Sequence, residues 1–184
     1  MPHSDPISII LLYFTLPVWY AAGFADWICH RRSKIELTSG MLESALHAIM
    51  FCEIGAGLLP GLFLEINSLT ISIMVGMFVV HEATALIDVK YAVPRRHVTT
   101  IEHHIHSFLE IIPLMAIASI VALHWGQFLA IFGLGGEVAR FELVWKAQPL
   151  SALYLSLTMA IIFVFHFLTY LEEFFRCYRA KGWK

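Results

Sequence analysis

The sequence predicts an all-α, polytopic membrane bundle of about five transmembrane helices, and three observations carry that prediction. Of the 184 residues, 59% are hydrophobic and 14% charged, far from the balance of an ordinary soluble domain. Mean hydropathy is +0.73. The apolar residues also gather into long runs near residues 6–29, 41–65, 68–92, 100–124 and 149–173, and roughly 20 residues at about 1.5 Å each cover the hydrocarbon core of a bilayer. The chain reads as one integral-membrane domain over residues 1–184, without an internal repeat.

The first run, Ile7 to Ala25, lacks a basic leader and ends in Asp26-Trp27, so it reads as a retained helix and not as a signal peptide. Ser33 to Gly40 forms a polar connector. In the second run Pro60-Gly61 loosens the helix, and Glu65-Ile66-Asn67-Ser68 makes a tight turn. Pro94 stops the third helix. Thr99 and Glu102 have capping-box spacing for the fourth, so Glu102 is expected to cap its helix. The segment 126–148, with Gly133, Gly135, Gly136, Arg140 and Lys146, is expected outside as an interfacial helix or lid. Cys29, Cys52 and Cys177 are odd in number and have no Cys-x-x-Cys spacing, which argues against a disulfide framework.

Lys and Arg orient the bundle. Arg31, Arg32 and Lys34 follow the first span, Lys90, Arg95 and Arg96 the third, and Arg176, Arg179, Lys181 and Lys184 the fifth. These hold ten of the 12 Lys and Arg, and cationic loops resist export. The N-terminus is therefore expected outside and the C-terminus in the cytoplasm, in a bacterial inner (cytoplasmic) membrane. A net charge of −2 gives no argument for nucleic acid.

With that topology the ionisable residues collect near the cytoplasmic end of every span. Asp26 and His30 close the first and Glu43 and His47 open the second, each pair at i, i+4. His81 and Asp88 lie on the third. His103, His106 and Glu110 fall on one stripe of the fourth, and His166 lies on the fifth, with Tyr170 and Glu173 continuing its face. Such groups are costly in hydrocarbon unless they satisfy one another, bind a metal or line a cavity. Imidazole and carboxylate suit iron, manganese or zinc, and paired ligands on one helix recur in di-metal bundles. The ten residues from Asp26 to His166 just named are the candidate ligands, enough for two ions. Glu53, deep in the second span, and Tyr170 are candidate catalytic groups or proton relays. His104 lies off the stripe, and His3, His97 and His124 read as bystanders.

The arrangement resembles the integral-membrane fatty acid desaturase and hydroxylase superfamily, in which histidine boxes at the cytoplasmic helix ends bind two irons. Where that superfamily has His-x-x-His-His this chain has His103-His104-x-His106, and where it opens with His-x-x-x-His this chain has Asp26-x-x-x-His30 and Glu43-x-x-x-His47. The resemblance implies candidate ligands at His30, His47, His103, His104 and His106. It also implies two iron ions, dioxygen, an apolar or lipid-like substrate entering from the bilayer, and an electron donor at the cytoplasmic face. Two other readings stay open. A membrane zinc hydrolase would use histidines and a carboxylate base, with Ser44-x-x-His47 in its favour, and a haem-binding electron carrier would use a facing histidine pair.

Overall fold

The computed structural model describes residues 5–181; His3 and Lys184 lie outside them. Five helices are long and apolar enough to cross a membrane: α1 (Pro6–Ser33), α2 (Met41–Phe63), α3 (Ser68–Ala92), α4 (Thr100–Leu123) and, after the short α5 (Trp125–Ile131), α6 (Ala152–Ala180). No strand occurs among the described residues. The first span runs a turn further than residue 29, and the last continues past residue 173.

Local chemistry sets the boundaries. Lys34 adopts a left-handed conformation (φ 52°) that ends α1, and Gly40 (φ 74°) turns the chain into α2. Asn67 caps α3 by accepting from the Thr70 amide, and Thr99 caps α4 by accepting from the Glu102 amide. Two π-helical turns interrupt the spans, at Leu11–Thr15 and Phe163–Phe167. The first lies just before Pro17, which has no N–H with which to continue the regular ladder. The second carries His166.

The five long helices close into a ring in the spatial order α1, α4, α3, α2, α6 and back to α1. Its burial pattern inverts that of a soluble core. Leu86, Ile101, Met115 and Leu153 are exposed on the outside, whereas more than half of the buried positions among the described residues are polar or charged, chiefly Asp, Glu, His, Ser and Thr. An apolar plug of Trp19, Tyr20 and Ile112, packed by Leu16, Ile54 and Leu109, divides the bundle about midway.

The segment after α5 straps back onto the end of α2. Trp145 bridges back to Leu64, Lys146 N donates to Phe63 O, and Glu65 N donates to Val144 O. Gln127 ties it further, accepting from the Arg140 amide and donating to Glu137.

Candidate metal centre

The ends of α1, α3 and α6 and the starts of α2 and α4 meet at one level. There they gather Asp26, His30, Glu43, His47, Asp88, Glu102, His106 and Glu173, with Arg96 reaching in from the α3–α4 connector. All but His106 are buried.

One carboxylate orients two imidazoles. Glu173 Oε2 accepts from His30 Nδ1 at 3.0 Å, and Glu173 Oε1 accepts from His47 Nδ1 at 2.8 Å. The rings stack 4.3 Å apart and 10° from parallel. An ionised carboxylate only accepts, so each Nδ1 carries the proton, and in its neutral form each ring presents a lone pair at Nε2 with which it can ligate a metal.

Those lone pairs meet further acceptors. His30 Nε2 lies 3.4 Å from Asp26 and 3.5 Å from Glu102, and His47 Nε2 lies 3.5 Å from Asp88 and 3.9 Å from Glu43. Asp26 Oδ1 lies 2.9 Å from His106 Nε2 in a geometry that makes no hydrogen bond. His30 Nε2, His47 Nε2 and Asp88 Oδ1 likewise lack hydrogen-bond partners, and Glu102 is met only by the Arg96 guanidinium, in an ion pair at its Oε1. Buried acceptors that face one another without a donor between them are costly unless a cation joins them. Two groups are compact enough for an ion: Asp26, His30, Glu102 and His106, and His30, Glu43 and His47, with ligand atoms of each group within 4.8 Å of one another. The cluster could hold a metal ion.

Arg96 is the cluster's resident cation. Its Nε donates to both Glu43 oxygens (2.9 and 3.2 Å), and its Nη2 lies 2.5 Å from Glu43 and 2.6 Å from Glu102, so one guanidinium joins a carboxylate of each group. Burial works against this charge, but the Glu43 and Glu102 contacts outweigh it and raise the Arg96 pKa above its usual value. Glu36 and Arg176 form a separate ion pair beside the cluster.

The structure places the remaining sequence candidates elsewhere. His103 and His104 are exposed on α4, because the inward stripe of that helix is Glu102 and His106 at i, i+4. Glu102 therefore does not complete the cap: Thr99 accepts from its amide, while its side chain is fully buried in the cluster. His81 lies about two turns deeper, 3.7 Å from Glu53, whose other oxygen accepts from Thr84 at 2.8 Å. His166 stacks between Trp19 (5.1 Å) and Phe51 (6.4 Å). It lies so close to Gly23 that a Cβ there would come within 2.5 Å of the ring. Glu110 and Tyr170 join His81 and His166 around a small space of about 60 Å³ that also reaches Asp26, His47, Asp88 and His106. Glu173, Arg96 and Glu102 are the partners the sequence pattern does not reveal: Glu173 reads only as continuing a face, Arg96 as a topology signal and Glu102 as a cap.

His106→Ala is expected to weaken metal binding roughly tenfold or more, whereas His103→Ala leaves it unchanged. Titration of the purified protein with Co(II), followed by its visible absorption, checks the pair, and equal effects would contradict the inward stripe.

Beyond Trp19 and Ile54, α1, α2, α3 and α4 with the segment from Lys146 to Leu150 line a second, partly open cavity of about 670 Å³, mostly apolar, which reaches the other end of the bundle. Comparison with protein-family models, curated proteins and solved structures finds no match.

Proposed function

We propose that the chain is a membrane metalloenzyme that holds two metal ions, iron by preference, and oxidises an apolar or lipid-like substrate with dioxygen. The single observation that carries this reading is the Glu173 carboxylate holding two stacked imidazoles whose Nε2 atoms, without hydrogen-bond partners of their own, face the Asp26, Asp88 and Glu102 carboxylates.

Charge supports two ions. Asp26, Glu43, Asp88, Glu102 and Glu173 set five carboxylates against the one Arg96 guanidinium. With the imidazoles neutral, as ligands must be, four negative charges remain, which two divalent ions would neutralise. Mixed imidazole and carboxylate ligation suits iron and manganese as well as zinc. Asp26, His30, Glu102 and His106 would hold one ion, and His47 with Glu43 and Asp88 the other. Bound iron would supply the reductive activation of dioxygen that attack on an unactivated C–H bond needs.

The protein's own residues supply orientation and dryness. Glu173 fixes both rings, the Trp19, Tyr20 and Ile112 plug limits water, and the inner space beside Asp26 and His106 gives a substrate carbon somewhere to sit. The exposed cations Arg31, Arg32, Lys34, Lys90 and Arg95 lie at the cluster's end of the bundle. By the positive-inside rule these cations favour a cytoplasmic side for the cluster, where they would offer an acidic electron donor a surface to meet.

Zinc hydrolysis is the second reading, because Asp26, His30, Glu102 and His106 alone offer a four-ligand set. Reductant-driven dioxygen uptake by the iron-loaded protein in nanodiscs separates the two. Uptake that is stimulated by added lipid and lost in His47→Ala is the expected result. Ester hydrolysis by the zinc-loaded protein, without such uptake, would overturn it.

A further inference from the structure

The end of the large cavity far from the cluster is polar, and its charges are unevenly engaged. Asp5, Glu65, His124, Lys146 and Gln148 line it there, and Gln148 is exposed, so the cavity reaches the surface. Both acids are taken by backbone donors: Asp5 accepts from the Ser8 amide and Glu65 from the Ala147 amide, each at 2.8 Å. Lys146 gives one N–H to Leu64 O at 2.7 Å and has no ion pair among the described residues. An ammonium has three donors, so two remain for a ligand. Burial pushes the Lys146 pKa down against the pull of Glu65, and burial together with Lys146 pushes His124 down. An anion seated between them would relieve both.

The cavity has the length of one leaflet. Its lining runs along α2 from Glu53 to Leu62 and on to Glu65 beyond the helix end, and from Ile112 to His124 at the end of α4. The α4 stretch is about 18 Å at helical rise, against about 15 Å for half a bilayer's hydrocarbon core. Its inner end stops at Trp19 and Ile54, which also line the 60 Å³ space that continues to the cluster.

We propose that this cavity binds a single-chain anionic lipid, with its head at Lys146 and His124 and its chain running inward, so that the distal end of the chain reaches the Trp19 and Ile54 neck. The headgroup site stands without the metal reading. What the inner end meets rests on that reading: the cluster would act near the chain terminus, at a position measured from Lys146.

Binding of hexadecanoate and of hexadecanol to the full chain in detergent tests the headgroup site. Wild type should prefer hexadecanoate, and Lys146→Met should weaken hexadecanoate roughly tenfold while leaving hexadecanol unchanged. Filling the cavity with Ala116→Trp, or with Ile120→Trp if that variant fails to fold, should abolish both. His106→Ala should change neither. Equal affinity of wild type for acid and alcohol, or full binding in the filled variants, would overturn the proposal. Orientation is read from Mn(II)-loaded protein, in which the terminal methyl carbon of labelled hexadecanoate should broaden more than its carboxyl carbon. The opposite order would overturn the orientation. Failure to load Mn(II) would count against the metal centre alone, since the binding results decide the headgroup site without it.

Discussion

Glu173→Gln is expected to lower metal affinity by about 100-fold or more and to turn one of the two imidazoles it holds out of its ligating tautomer. A single group that orients a metal-bound histidine is worth about 10–100-fold in affinity, and Glu173 serves two, His30 and His47. The amide keeps the size of the side chain. It accepts through one oxygen and presents an N–H₂ to the other ring, so one imidazole must change tautomer and turn its Nε2 proton toward the cluster. The variant should therefore fold and span the membrane as before while binding metal poorly. Isothermal titration with Fe(II) or Co(II) under anaerobic conditions, alongside helix content by circular dichroism, separates this from simple unfolding. Wild-type affinity in Glu173→Gln would mean that the Nε2 atoms are not ligands.

Arg96→Met should destabilise the metal-free protein by about 3–5 kcal/mol, the cost of removing one partner from a buried ion pair. Glu43 and Glu102, both fully buried, lose the donor they share. Metal should recover part of the loss, because an ion binding the folded state alone stabilises it by mass action. Thermal denaturation in mild detergent with and without Co(II) checks this. The predicted pattern is a large gap between wild type and variant without metal that narrows with it. A gap unaffected by metal would assign Arg96, Glu43 and Glu102 to a polar network that needs no ion.

The spans and the level of the site were legible because hydropathy and the i, i+4 pairs are local properties. Asp26 with His30 and Glu43 with His47 need only helical geometry to share a face, and both pairs reach the cluster. The phase of α4 was not legible. His103, His106 and Glu110 make a plausible stripe on paper, but the rotation of a helix is fixed by what it packs against, and α4 turns Glu102 inward beside Arg96. Reading Glu102 as a cap gave weight to a local alternative that the neighbouring charges override. Glu173 lies 126 residues from His47 and 143 from His30, so its role depends wholly on tertiary arrangement. His166 shows the converse. A lone histidine in an apolar span is held here by aromatic stacking and by the missing side chain of Gly23.

Iron content per chain, measured by elemental analysis after anaerobic loading and desalting in mild detergent, tests the central claim most directly. Two irons in wild type, falling in His30→Ala and unchanged in His103→Ala, are the predicted result. No retained iron, or equal retention in the two variants, would contradict it.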